Sequence, residues 1–218
     1  MMETPEILYA DRRICVCLKP AGVLSTDEPG GMPEMLRAAL GSECIRTVHR
    51  LDQAVSGLMV FARSRAAASL LSAQIRNGTF EKEYLAVVHG TLPEERGTFT
   101  DLLLRDRATR TTRVVTAPGK DVQEAALDYA RLAEKDGLTL VRIHLRTGRT
   151  HQIRVQFASR GLPLWGDKKY GVPGDSGDIA LFARRLSFRH PETDEKLEFS
   201  ARPPETAPWT RFSLSALL

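Results

Sequence analysis

Apolar and polar positions along the chain change period several times, and each change predicts an element. Ile14-Cys15-Val16-Cys17-Leu18 is a run of commonly buried residue types closed by Lys19-Pro20-Ala21-Gly22, which predicts a strand and then a turn. Period-two spacing in that strand puts Cys15 and Cys17 on one face. Residues 33–40 predict a short helix, with Pro33 near its start and Gly41 after its end. A second helix follows Ser64, whose hydroxyl suits an N-cap. Its apolar positions are Ala67, Leu70, Leu71 and Ile75, and Asn77-Gly78 supplies a left-handed stop. A helix with one apolar face packs on a sheet. Further strands are predicted at 45–48, 57–62, 80–88, 125–132, 138–145, 179–188 and 196–199.

Strands outnumber helices, and the strict strand-helix alternation of a doubly wound parallel sheet is absent. The fold class expected is α+β: a mixed, largely antiparallel β-sheet flanked by helices and loops, with the active-site cleft across the sheet. At 218 residues the chain fits a single domain over 1–218, with a core at about 14–199 and a C-terminal tail at about 200–218. Residues 105–121 are rich in Thr and Arg, lack apolar periodicity and lie between two strand-like segments, so a long projecting loop or hairpin is expected there. Gly174-Asp175-Ser176-Gly177, within 171–178, reads as a flexible turn.

Composition narrows the class. An apolar fraction of 42% with 27% charged residues is that of an ordinary globular chain, neither disordered nor a disulfide-stapled miniature. No apolar run approaches the ~18 residues needed to cross a bilayer. Residues 1–6 lack the order of a secretory signal. A cytoplasmic protein with no membrane partner is therefore expected. Three cysteines without a Cys-x-x-Cys pair suit reduced thiols and argue against thiolate-bound zinc. The net charge is only +4, but it is clustered: Arg105, Arg107, Arg110, Arg113 and Lys120 face Asp106 alone, and six basic residues between Arg146 and Tyr170 face Asp167 alone. Either stretch could be a solvated loop, but two together favour a nucleic-acid partner.

Several enzyme classes are excluded. Gly174-Asp175-Ser176-Gly177 superficially resembles a serine-protease nucleophile segment, but no His stands in a matching context, and a metal-free hydrolase using Ser176 is disfavoured. His49-Arg50-Leu51-Asp52 superficially resembles a protein-kinase catalytic loop, without the Gly-rich loop or metal-binding Asp-Phe-Gly that kinases need. There is no P-loop, Gly-x-Gly-x-x-Gly or His-Glu-x-x-His, so no nucleotide cofactor and no metal have a visible seat, and a reaction with no cofactor is expected.

The remaining chemistry lies in three segments. Residues 48–61 place one carboxylate, Asp52, between two apolar strand segments, which predicts partial burial. A plain reading has Asp52 cap a turn or pair with Arg50. Arg146-Thr147-Gly148-Arg149-Thr150-His151-Gln152-Ile153-Arg154-Val155 reads as a helix entered after Gly148, in which His151 and Arg154 share a face. A buried carboxylate keeps its charge only beside a cation or several donors, and Arg154 is the candidate partner. In Phe80-Glu81-Lys82-Glu83-Tyr84, alternation puts Lys82 and Tyr84 on one sheet face.

These segments resemble, in order, the RluA-type family of RNA pseudouridine synthases. The similarity covers 16–22 (like the family's Lys-Pro-x-Gly turn), 49–61 (like its His-Arg-Leu-Asp-x-x-x-Ser-Gly-Leu segment), 82–90 and 147–171. The last contains Thr147-Gly-Arg-Thr-His-Gln-Ile-Arg154, then Gly161-x-Pro163 and Gly166-Asp167-x-x-Tyr170-Gly171. Leu186-x-Phe188-x-His190-Pro191 resembles the family's closing strand. Val55 stands where the family usually has Thr, and Gln156 where His is frequent.

The resemblance implies an isomerase that converts specific uridines of structured RNA, ribosomal or transfer, to pseudouridine on a flipped-out base. It implies Asp52 as the catalytic carboxylate, Arg154 as its ion-pair partner, Tyr84 as the ring packed on the target base, and Arg50 as a side chain near the displaced stack. His49, Lys82, Arg149 and His151 lie in the same motifs and are expected to bind substrate. Arg105, Arg107, Arg110 and Arg113 are expected to bind RNA phosphates. No appended RNA-binding domain is expected before the catalytic one, and the chain is expected to act as a monomer on an RNA stem-loop. The alternative is a non-catalytic RNA-binding or ribosome-assembly protein of the same fold.

Overall fold

A computed structural model of the chain describes residues 5–217; most of the start read above for a signal, and the last residue of the tail, lie outside them. In chain order the elements are β1 (Ile7–Ala10), β2 (Ile14–Lys19), α1 (Met32–Leu40), β3 (Arg46–Thr47), β4 (Ser56–Ala62), α2 (Arg65–Arg76), β5 (Glu81–His89), β6 (Arg96–Asp106), β7 (Thr111–Val115), β8 (Val122–Lys135), β9 (Leu138–Leu145), α3 (Gln152–Ala158), β10 (Leu181–Arg189), β11 (Lys196–Ser200), a 3-10 turn (Trp209–Arg211) and α4 (Leu214–Leu217). The fold is α+β with mostly antiparallel strand pairs. The chain divides into two compact units: one runs to Lys82 and adds Phe182–Arg202, the other comprises Glu83–Leu181 and the residues from Pro203 onward.

In the first unit β1 pairs with β2, β2 with β4 and β3 with β4, all antiparallel, while β10 runs parallel to β4 and antiparallel to β11. The core is the inner face of these strands, Ile14, Val16, Leu58, Val60, Ala62, Leu186 and Phe188, covered by Ala67 and Leu71 of α2 and by Phe80. Helix α2 forms where predicted: Ser64 is its N-cap, with the hydroxyl accepting from Ala67 N–H, and Gly78 follows with φ +72°. Gly57 is required by proximity. Its φ is +124°, and a Cβ there would lie 2.5 Å from both the nitrogen and the carbonyl oxygen of Ala183 in β10. The strand expected at 45–48 shrinks to Arg46–Thr47, because the chain turns at Val48 to bring the His49 ring into the core.

In the second unit the strand order is β5-β9-β8-β6-β7, every pair antiparallel. Helix α3 packs through Val155 on Leu103 of β6 and Ala125 of β8, with Val114 and Tyr170 at the edge. Phe157 of α3 stands edge-on to Phe99, centroids 5.1 Å apart, and Phe99 lies 4.7 Å from Tyr129. The basic segment at 105–121 takes the hairpin form: β6 and β7 turn over at Arg110, whose φ is +54°, and the Asp106 carboxylate caps the turn by accepting from Ala108 and Thr109 N–H.

Two expectations are corrected. Strands β1 and β6 lie outside the predicted set; β6, Arg96-Gly-Thr-Phe-Thr-Asp-Leu-Leu-Leu-Arg-Asp106, has no clean alternation because its ends project. The segment expected to be a flexible turn at 174–177 is tied down. The Asp175 carboxylate meets His89 Nε2 at 2.8 Å and accepts from Gly166 N–H at 2.9 Å, and Trp165 Nε1–H donates to Ser176 O. Among the described residues no helix is long and apolar enough to cross a membrane.

Candidate active site

In the first unit Asp52 sits on the loop between β3 and β4, half-buried, with its backbone held on both sides. Leu51 O accepts from Ser25 Oγ–H at 2.8 Å, Asp52 O from Val55 N–H at 3.0 Å, and Gln53 O from Gly22 N–H at 2.8 Å. Three consecutive carbonyls are thus fixed, which holds the backbone that carries the Asp52 side chain. Gln53 O also accepts from Lys19 Nζ at 3.0 Å; the same ammonium donates to Pro20 O at 2.8 Å and Val23 O at 2.7 Å. Lys19 is 1% exposed. Burial pushes its amine down to about 8, against the opposing pull of the Asp52 charge. Three carbonyls match the three N–H groups of an ammonium, so at neutral pH Lys19 clamps the turn at 20–23 to the Asp52 loop.

His49 anchors the other end of the loop. Its ring is 7% exposed, Nε2 accepts from Val60 N–H at 3.1 Å, and its centroid lies 5.4 Å from Phe80. The imidazole is turned into the core, where it holds the loop, while the neighbouring Arg50 is exposed. Burial, with the nearby Lys82 charge adding to it, holds the His49 imidazole down to about 3. Burial likewise lowers the Lys82 amine. An unfolded chain takes up the proton below about pH 6.5 that folded His49 refuses until about 3, so stability falls as pH drops through that window. The expected loss is about 3 kcal/mol between pH 6.5 and pH 4. In His49→Gln the amide oxygen can replace Nε2 as acceptor, and this share of the acid sensitivity should vanish. Urea unfolding of both proteins across that range tests it, and equal pH slopes would reject it.

In the second unit the segment after β9 is built around Gln152. Its Oε1 accepts from Thr147 Oγ1–H at 2.8 Å and Arg149 N–H at 2.9 Å, and its Nε2–H donates to Ala126 O at 3.0 Å. Helix α3 therefore begins at Gln152, with His151 as N-cap at φ +56°. Arg154 is 5% exposed. It grips Asp167 with both arms of the guanidinium, Nε to Oδ2 at 2.8 Å and Nη2 to Oδ1 at 2.6 Å. Oδ1 also accepts from the Lys169 and Tyr170 amides at 2.9 and 3.2 Å. Burial pulls the Asp167 carboxyl up, but the Arg154 hydrogen bonds and charge and these two amides outweigh it, holding the group below the ordinary carboxylate value.

His151 and Arg154 do converge, on Tyr170: His151 Nδ1 lies 2.8 Å from its hydroxyl and Arg154 Cζ 5.2 Å from its ring centroid. Tyr84 is buried in β5 opposite Ile143 of β9. Arg105, Arg107, Arg110 and Arg113 all point to solvent along the hairpin, and exposed Arg149 donates to Glu124 O at 2.9 Å. Gln156, at the position where the resemblance leads one to expect His, donates to Asp101 at 2.7 Å.

Three groups stood in the quoted motifs without an assigned role: Lys19, Asp167 and Tyr170. A charged residue ending an apolar strand, and a lone acid among six bases, were the available signals. Among the described residues no group of three or more His, Cys, Asp or Glu could hold a metal ion.

Comparison with known proteins gives the arrangement its context. The family model described as RNA pseudouridylate synthase matches residues 13–159. The chain is 38% identical over 203 residues to the uncharacterized RNA pseudouridine synthase YhcT of Bacillus subtilis, covering 87% of this chain and 66% of that relative, so it spans slightly less than two thirds of that protein's length. It is 34% identical over 206 residues to the dual-specificity RNA pseudouridine synthase RluA of Haemophilus influenzae, covering 90% of this chain and 92% of the relative. Among solved structures, human RNA pseudouridylate synthase domain containing 1 superposes with a TM-score of 0.81 at 25% identity, covering 94% of this chain and 86% of that one. Nearly full mutual coverage with an RluA, together with a family match over most of the chain, agrees with the motif resemblance: the chain belongs to the RNA pseudouridylate synthase family, RluA type.

Proposed function

We propose that the protein isomerises specific uridines of structured RNA, ribosomal or transfer, to pseudouridine, with Asp52 as the reacting carboxylate. The observation that carries this reading is the fixed loop around Asp52, in which Ser25, Val55, Gly22 and Lys19 immobilise three successive carbonyls. A carboxylate that must meet one carbon of a flipped nucleotide gains from such preorganisation.

The reaction breaks the bond between uracil nitrogen and ribose, turns the base, and rejoins it through carbon; that carbon loses a proton and the freed nitrogen gains one. Composition is unchanged, so neither oxidant nor energy source is required. Asp52 either attacks the anomeric carbon or removes a ribose proton to give a glycal; both roles use the carboxylate as base or nucleophile.

Flipping a stacked uridine costs a few kcal/mol. Exposed Arg50 can stack and bond phosphate at once, which suits it to the vacated space. Tyr84 supplies an aromatic surface for the base. The exposed arginines of the β6–β7 hairpin neutralise phosphates and position the RNA without reading its sequence. A small stem-loop is the expected target form.

The test is incubation of the protein with total RNA from a strain lacking its gene, followed by site-resolved pseudouridine mapping. One or a few new sites are expected, and binding that weakens steeply with added salt. Salt-sensitive binding with no new site under any folding condition would reject catalysis and leave an RNA-binding protein of this fold. Conversion only within an intact ribosomal particle would reject the stem-loop target.

A further inference from the structure

The β6–β7 hairpin and the segment that carries Arg154 meet at one phenol. The Tyr170 hydroxyl accepts from Thr112 N–H of β7 at 2.7 Å and lies 2.8 Å from His151 Nδ1. The hydroxyl, with one proton and two lone pairs, thus joins Thr112 N–H to His151 Nδ1. Burial raises the Tyr170 phenol, which keeps that proton in place. The ring of the same residue lies beneath Arg154, 5.2 Å from Cζ to centroid, and stands edge-on to the His151 ring at 72°. Its backbone amide donates to Asp167, the carboxylate that grips Arg154. One residue thus touches the hairpin, the strained N-cap of α3, the guanidinium and the partner of that guanidinium. The left-handed backbone of His151, uncommon outside glycine, marks the same spot.

Three other bonds tie residues 105–112 of the hairpin to the segments around it without the phenol: Thr112 Oγ1–H donates to Thr150 O at 3.1 Å, Lys169 Nζ to Arg110 O at 3.0 Å, and Arg105 Nη1 to Thr150 Oγ1 at 3.5 Å. Removing the hydroxyl alone therefore leaves the hairpin attached but loosens its registration with Arg154.

We propose that Tyr170 is a positioning residue that couples the seating of RNA on the β6–β7 hairpin to the placement of the Arg154 guanidinium. This rests on the reading of the hairpin as an RNA-binding surface given above. RNA phosphates held by Arg105, Arg107, Arg110 and Arg113 fix the hairpin. Thr112 N–H then fixes the phenol, and the phenol's ring fixes the face on which the guanidinium lies.

Tyr170→Phe keeps the ring and loses the hydroxyl; Tyr170→Leu loses both. With the RNA identified by mapping as substrate, Tyr170→Phe should raise KM about 5–10-fold with a smaller change in kcat, the size of one hydrogen bond. Tyr170→Leu should in addition lower kcat by about tenfold or more, which Phe at the same position restores. Hydrogen exchange at the Thr112 amide should accelerate in both variants. An unchanged KM in Tyr170→Phe, or a kcat in Tyr170→Leu equal to that of Tyr170→Phe, overturns the coupling; a role in folding alone would lower Tm and leave both constants in place. The proposed function fails separately, if wild-type protein forms no pseudouridine. Filter binding to a random-sequence RNA stem-loop then reads the hairpin alone, and equal affinities of wild type and Tyr170→Phe overturn the coupling there too.

Discussion

Asp52→Asn is expected to lower the rate of pseudouridine formation by about 10,000-fold or more and to leave RNA affinity within a few fold. A loss of that size corresponds to about 5.5 kcal/mol of transition-state stabilisation, which fits removal of the reacting group itself. Asn has the shape of Asp, and the bonds that hold the loop come from the carbonyls of Leu51, Asp52 and Gln53, which the substitution does not touch. Lys19 keeps its three carbonyl acceptors and loses only the favourable charge of Asp52, so its amine should titrate somewhat lower than about 8. Circular dichroism and thermal melting should therefore show a folded protein. Asp52→Glu separates the chemistry from its placement. It retains a carboxylate, but one methylene longer on a fixed loop, and should cost on the order of 100-fold. Single-turnover rates on the mapped RNA measure both. An Asp52→Asn protein within about tenfold of wild type would remove Asp52 from the reaction.

The contrast between that loop and its supports shows what the sequence makes visible. Local signals were readable: Ser64 and Asn77-Gly78 bracket α2, Leu138–Leu145 is a strand end to end, and the Thr- and Arg-rich run is a hairpin. So was the place of Asp52 between apolar segments, because burial of flanking residues is a local pattern. The partners were not. Ser25 reaches Leu51 across 26 positions and Lys19 reaches Gln53 across 34, contacts that only the tertiary fold decides. His49 looked like a polar neighbour of Asp52, and nothing local distinguishes an imidazole facing solvent from one accepting a backbone N–H inside the core. Strand β6 escaped because period-two alternation requires one buried face, and a hairpin that projects has none at its tip.

Arg154→Met should destabilise the fold by about 3–5 kcal/mol at neutral pH, because it leaves the Asp167 carboxylate without its cation in a buried site; Asp167→Asn should also destabilise it, because it removes the carboxylate that both arms of the guanidinium grip. The side chains of the pair are 6% and 0% exposed, so solvent cannot take over from the missing partner. The two losses should differ in their pH dependence. In wild type the depressed Asp167 carboxyl contributes stability at pH values above the ordinary carboxylate range, and that contribution disappears as pH falls through its folded value. In Arg154→Met the guanidinium is gone and burial dominates, so the carboxyl rises; protonation then relieves the buried charge, and the deficit against wild type narrows as pH falls. In Asp167→Asn no carboxyl remains to titrate, so its deficit narrows only where wild type itself loses the Asp167 charge, below the ordinary carboxylate range. Urea unfolding at several pH values separates the two. The double variant Arg154→Met with Asp167→Leu replaces the pair by apolar groups and should recover most of the stability. It should recover none of the turnover, since the guanidinium that Asp167 and Tyr170 hold in place is absent. A stable, active double variant would reduce the pair to a structural device. A stable, inactive one makes Asp167 the counter-charge that lets a buried arginine stand ready, and explains why the fold carries an ion pair where hydrophobic packing would hold it equally well.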